Sequence, residues 1–375
     1  CGNTTNPILL TYLQALLIGL INNMRKAMKN VSFGLDTFGD NAIDLQGNPV
    51  SPAQTLRNII DEAKMAEKAG VDIIGIGEHH REEYSVSAPD IVMTAILAST
   101  ERLKVTSSVT VLSSDDPVRL FERYSTMNAL SNGRAEITLG RGSFIESFPL
   151  FGFDLQDYEQ LFSERLDLFA KILEADSRGQ GVTWHGETRS ALENQMLYPP
   201  TENGIHAWVA VGGSPESVVR AAKYRFPLML AIIGGAPERF RPYVDLYKRA
   251  NEQFGQPQKP IGVHSPGLIA ATDEEARELA LNDWLELQRK IGAERGWAPA
   301  DATQFEREID HGSLYIGSPE TVAKKIAKTI SVLDLDRFTL KYASGQTPHE
   351  YLLKSIELYG TEVIPMVKDI LTKQA

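Results

Sequence analysis

Cysteine is almost missing from this 375-residue chain: the single one is Cys1. A disulfide framework and a thiolate zinc cluster are thereby excluded, and a reducing, cytoplasmic setting is expected. An excess of positive charge is missing too. Asp and Glu number 49 against 38 Lys and Arg, a net charge of −11, which argues against nucleic acid or an anionic membrane as partner. A phosphorylated cofactor stays open, because one local arginine can hold a phosphate. No apolar run has membrane-spanning length. The stretch "NPILLTYLQALLIGLINNM" (6–24) is short and Asn-flanked, and Arg25, Lys26 and Lys29 follow it, whereas a signal peptide carries its charges first. Residues 1–30 are expected to be an N-terminal extension outside the fold, with a natural start at Met24 or Met28; a mature lipoprotein beginning at Cys1 is the alternative.

From Val31 to residue 375 the pattern is that of one domain. Apolar strands alternate with helices over short connections. "VSFGLDTF" (31–38), "VDIIGIGE" (71–78), "LKVTSSVTVL" (103–112), "RAEITLG" (134–140), "IHAWVAVGG" (205–213), "PLMLAIIGG" (227–235), "IGVHSPGLIAA" (261–271) and "RFTLKY" (337–342) read as strands. Between them, 53–69, 89–101, 117–131, 157–175, 215–225, 237–254, 273–295, 319–333 and 348–372 read as helices. Helical crossovers force parallel pairing. The G-x-G-x-x-G of an open dinucleotide-binding sheet is absent after the first strand. The expected fold is therefore α/β, a (β/α)8 TIM barrel with insertions in the loops at its C-terminal face: 81–88, 144–156, 177–205 and 296–317.

The active site of such a barrel lies at the carboxyl ends of its strands. Here those ends carry Phe38, Glu78-His79-His80, Ser107 to Thr110, Gly140-Arg141-Gly142, Gly213-Ser214, Gly234-Gly235 and Lys341-Tyr342. In "GGSPESV" (212–218), Ser214 and Pro215 suit a helix N-cap and first turn, a purely structural motif that "GSPETV" (317–322) repeats. At a barrel mouth the same helix start offers free N–H groups to a phosphate. Arg141 between two glycines can fork onto phosphate oxygens, or pair with a surface carboxylate. Along an extended strand, neighbours point to opposite sides. His79 and His80 are thus poorly placed to chelate one metal, which would need Asp36 or Glu136 as further ligands. One histidine handling a proton suits the mouth better, and His80 suits a structural hydrogen bond.

These blocks together resemble the luciferase-like flavin monooxygenases, the bacterial luciferase superfamily. The resemblance is carried by "GEHH" (77–80), "DDPVRLFERYSTMNALSNGR" (115–134), "LGRGSFIESFPLFGFD" (139–154), "WVAVGGSPESVVRAA" (208–222) and "YIGSPETVAKKI" (315–326), and covers the chain from about Val31 onward. It implies Arg141 as ligand of an FMN phosphate, with Gly213, Ser214 and Ser217 cradling the same group. It implies His79 as the catalytic residue beside the flavin, and a non-prolyl cis peptide at Ser108-Val109 supporting the ring, with Phe38 close by. Bacterial luciferase has a cysteine just before the phosphate arginine where this chain has Gly140, which removes the ground for thiol-dependent chemistry and light emission. The implied activity is an FMN-dependent monooxygenase using reduced flavin, supplied by a separate flavin reductase, and O₂ on a small organic substrate. A homodimer without resident metal is expected. The alternatives are a deazaflavin (F420)-dependent dehydrogenase of the same superfamily and a metal-dependent barrel hydrolase.

Overall fold

The computed structural model describes residues 30–374 apart from Ser143 and Trp297. Nearly all of the expected N-terminal extension, residues 1–29, lies outside the described residues. Eight parallel strands close into a barrel: β1 (Ser32–Thr37), β2 (Ile73–Ile76), β3 (Lys104–Ser107), β4 (Ala135–Gly140), β5 (His206–Val211), β6 (Leu228–Ala231), β7 (Ile261–Ile269) and β8 (Arg337–Lys341). Each pairs with the next in sequence, and β8 pairs with β1 to close the ring. This is the (β/α)8 architecture expected from the alternation.

Helices α1 (Pro52–Ala69), α2 (Pro89–Ser99), α3 (Pro117–Ser131), α4 (Tyr158–Ser177), α5 (Pro215–Lys223) and α6 (Arg241–Gln253) follow the first six strands. The segment after β7 holds α7 (Asp273–Arg295), α8 (Ala302–Asp310), a short strand Tyr315–Gly317 on the outer half of β7, and α9 (Pro319–Leu333). Helices α10 (His349–Leu358) and α11 (Ile364–Gln374) close the chain. Local chemistry sets the helix limits. In α1, Ser51 accepts from the Gln54 N–H, Pro52 takes the first turn, and Gly70 ends the helix at φ 87°. In α3, Asp116 caps the start and Asn132, at φ 55°, ends it.

Several elements depart from the sequence reading. The stretch 103–112 is two strands, Lys104–Ser107 and Thr110–Val111, with a break between them. At the break the Ser107 hydroxyl donates to the Thr138 carbonyl (3.1 Å) and accepts from its N–H (3.1 Å), so a side chain replaces ladder hydrogen bonds. Helix 237–254 starts as a 3₁₀ turn, Pro237–Phe240, and the closing helix is interrupted by a π turn at Tyr359–Val363. In the insertion 177–205, by contrast, the hairpin that "GVTWHGE" suggests in sequence is formed, with Val182–Trp184 antiparallel to Leu192–Gln195.

The barrel interior is filled at one end and hollow at the other. Near the amino ends, Glu136 accepts from Arg337 (2.8 Å), Lys104 (3.2 Å) and the Trp208 indole N–H (3.2 Å). The Arg337 guanidinium also lies 4.3 Å over the Trp208 ring. Burial opposes the charge on Glu136, but the two cations outweigh it and hold the carboxyl below its ordinary range. Further up, cavity-lining positions are small: Gly75, Gly140, Ala210 and Ala231. They leave space for the site.

Candidate active site

A cavity of about 740 Å³ opens at the carboxyl ends of the strands. That volume is typical of cofactor and substrate sites. Arg141, Phe38, Ser108, Val109, His79 and Ser217 all line it, so the structure gathers in one place residues that are scattered over 180 positions of sequence.

At one side stands Arg141, just past β4. Its Nη1 donates to Glu159 (3.0 Å), its Nη2 to the Ser217 hydroxyl (3.4 Å), and its guanidinium lies 5.4 Å from the Tyr158 ring. Ser217 sits in the first turn of α5. Ser214 caps that helix, accepting from the Ser217 N–H (3.3 Å) and donating to Glu216 (2.7 Å). Gly213 has φ 119°, a conformation open in practice to glycine. Gly213 and Ser214 shape this turn but are not themselves cavity wall, whereas Gly212 is, and a Cβ there would stand in open space. The second serine-proline cap behaves differently. At Ser318 the start of α9 is already occupied by a carboxylate of the chain itself: Asp273 accepts from the Ser318 N–H (2.6 Å) and the Thr321 hydroxyl (2.9 Å). Only the first copy presents its helix start to the cavity.

His79 stands at another side, inside an aromatic cage. Its ring is 4.6 Å from Phe38, 4.4 Å from Tyr84 and 5.2 Å from Phe144. Its Nε2 is buried without a hydrogen-bond partner. Burial, with the nearby charges of Lys341, His80 and Arg81, pushes its pKa down to about 3, so the imidazole is neutral at physiological pH. His80 turns the other way. Its Nε2 meets Glu78 at 3.1 Å, and the other Glu78 oxygen accepts from the Val111 N–H (3.0 Å). The two histidines do not converge, Glu136 is engaged by Arg337, and among the described residues no group of three or more His, Cys, Asp or Glu could hold a metal.

The peptide between Ser108 and Val109 is cis. It faces Gly140, where an added Cβ would lie 2.5 Å from a Val109 methyl group. A cysteine at this position would collide with the Val109 side chain, a physical reason for the glycine.

A family model for luciferase-like monooxygenases matches residues 33–333. The chain belongs to the luciferase-like monooxygenase family. As a member it is a flavin-dependent oxidoreductase of the monooxygenase type. An uncharacterized protein, y4vJ of Sinorhizobium fredii (strain NBRC 101917 / NGR234), is 25% identical over 336 residues, covering 86% of this chain and 95% of that protein. Among solved structures, the fold superposes on the oxygenating constituent of 3,6-diketocamphane monooxygenase from the CAM plasmid of Pseudomonas putida, a complex with FMN. The TM-score is 0.72 at 18% identity, covering 90% of this chain and 98% of the other. It also superposes on an F420-dependent secondary alcohol dehydrogenase bound to an F420-acetone adduct, with TM-score 0.71 at 16% identity, over 90% and 99% of the two chains. Among the described residues no helix is long and apolar enough to cross a membrane.

Sequence reasoning missed part of the wall. Asp36 on β1, considered in sequence only as a possible metal ligand, and His264 on β7, not singled out, line the cavity and meet at 2.6 Å. His264 lies mid-strand, not at a strand end. The available signal was the alternation in β7, where Ile261 and Val263 are apolar while Gly262, His264 and Pro266 are not. Trp284, Leu287 and Ile291 of α7 supply an apolar wall from an insertion whose register against the barrel is not encoded locally.

Proposed function

We propose that this enzyme binds FMN, with Arg141, the Ser217 hydroxyl and the amide end of α5 holding its phosphate. Gly213 and Ser214 shape that turn, and Ser108, Val109 and Phe38 stand against the ring. The observation that carries the reading is the Arg141–Ser217 pair beside Gly212, at a helix start that lines the cavity and where the backbone leaves room for a ligand. The donor set suits a phosphate: a guanidinium, a hydroxyl and helix-terminal N–H groups. Bound in its reduced form, FMN supplies the electrons that let one atom of O₂ enter an organic substrate.

The residues of the chain do the rest. Phe38, Tyr84 and Phe144 surround His79 and keep water from its neighbourhood. His79, neutral and with Nε2 unpartnered, hydrogen-bonds the reacting groups and manages a proton. Trp284, Leu287 and Ile291 give the substrate an apolar seat, which suits a small apolar carbon compound. A single barrel with no dinucleotide fingerprint after its first strand supports delivery of reduced FMN by a separate flavin reductase. The working form in this reading is a cytoplasmic homodimer.

FMN and riboflavin titrations of wild type and Arg141→Ala test the phosphate site. Loss of the charge-assisted contact should weaken FMN by about 2–3 kcal/mol, roughly two decades in Kd, and leave riboflavin little changed. Equal FMN affinity in the two proteins would remove the assignment. Tighter binding of F420 than of FMN by wild type would turn the reading to a deazaflavin-dependent dehydrogenase.

A further inference from the structure

The inner wall of the cavity holds a pair that plays no part in gripping the phosphate. His264 Nδ1 lies 2.6 Å from Asp36 Oδ2, and both side chains are buried. A carboxylate only accepts, so Nδ1 carries its proton toward Asp36, and Nε2 is the ring nitrogen left to exchange a proton with a ligand. The other Asp36 oxygen, Oδ1, is buried with no hydrogen-bond partner. The cations nearby are engaged elsewhere: Lys341 donates to Asp40 (3.2 Å) and Ser344 (3.2 Å), and Arg337 to Glu136 (2.8 Å). Phe38 stacks beside His264 at 6.0 Å, and Thr339 is its strand neighbour. This part of the wall is thus rich in acceptors, and among the described residues its cations Lys341 and Arg337 are each already paired with a carboxylate. Apolar Trp284, Leu287, Leu314 and Ile316 line the same cavity.

We infer that His264, positioned by Asp36, is the base that takes the proton of a hydroxyl-bearing apolar substrate, a phenol or enol. The substrate O–H bond breaks, an Nε2–H bond forms, the electron pair stays on oxygen, and Asp36 stabilises the imidazolium. Ionisation makes the neighbouring carbon electron-rich, which suits it to receive an oxygen atom. His79 is less suited to this step, because its neighbours are Lys341, His80 and Arg81 and no carboxylate is paired with its ring. The inference rests on the FMN reading only in taking this cavity as the substrate site.

The test uses flavin-free protein and p-nitrophenol, which turns yellow on ionising, at a pH where the free probe is neutral. Wild type should bind it in the yellow form. H264Q should bind it neutral, with the ionised fraction at least tenfold lower, and D36N should also lower that fraction. p-Nitroanisole, which lacks the hydroxyl, should bind at least tenfold more weakly than p-nitrophenol. If H264Q melts far below wild type, D36N carries the comparison. No binding, binding of the neutral form by wild type, or wild-type ionisation in H264Q would each overturn the assignment. FMN affinity and its dependence on Arg141 are measured on the same proteins, so failure of the phosphate site and failure of the His264 base give separate results.

Discussion

His79 carries its imidazole buried among three aromatic rings, with Lys341 and Arg81 nearby, and this sets how the folded protein responds to acid. Its native pKa of about 3 lies below the ordinary 6.5. Between those values the unfolded chain binds a proton that the native state refuses, so stability rises with pH across the window and falls as pH drops through it. The slope is on the order of 1.4 kcal/mol per pH unit from this group alone. His349 has the opposite sign. Burial lowers its pKa, but a 2.8 Å hydrogen bond to Glu62 and that charge outweigh burial and raise it. Its contribution is present below the unfolded value and is lost as pH rises through the folded one. Urea midpoints of wild type and His79→Gln at pH 6.5 and 5 separate the two. The variant should lose clearly less stability over that interval, and equal losses would mean that His79 is protonated in the native state.

Among the elements, the loops around the mouth are tied together by one side chain. Arg81, just past β2, meets Glu83 (3.3 Å), Glu146 (2.7 Å) in the loop after β4, and Glu294 (3.0 Å) near the end of α7, while stacking 4.4 Å over Phe144. Partly exposed ion pairs contribute little singly, roughly 0.2–1 kcal/mol, but these share one guanidinium. Arg81→Gln should therefore leave the barrel intact and loosen its cover. Hydrogen exchange in 144–151 and in the second half of α7 should quicken about fivefold, corresponding to about 1 kcal/mol of local opening. Unchanged exchange there would show that apolar packing alone holds the cover. The contacts that tie the loops together are not legible in sequence, since Glu146 and Glu294 lie 65 and 213 positions from Arg81. The helix starts, in contrast, are legible, because Ser51, Ser214 and Ser318 each precede a proline at the first helical position.

For the whole molecule, pairing of β8 with β1 closes the ring of strands from residue 32 onward, and we propose that the barrel folds without the segment before Met28. A chain starting at Met28 is expected to melt within about 5 °C of the full one and to bind FMN equally. At about 2.1 cal/mol/K per residue, a larger shift would mean a loss of roughly 3–4 kcal/mol and would make the N-terminal segment part of the fold. The alternation of buried strands with capped helices was determined by the sequence alone, as was the placing of Arg141 between glycines at a strand end. Those features rest on side-chain period and turn chemistry, which act over a few residues. Tertiary structure decided which of the two Gly-Ser-Pro-Glu caps, at Ser214 and Ser318, faces the cavity, because only closure sets Asp273 against the second. It also decided that His79 is neutral and that Asp36 meets His264 across 228 positions. Burial and long-range pairing belong to the closed barrel, where β1 and β7 stand one strand apart, and no local pattern carries them.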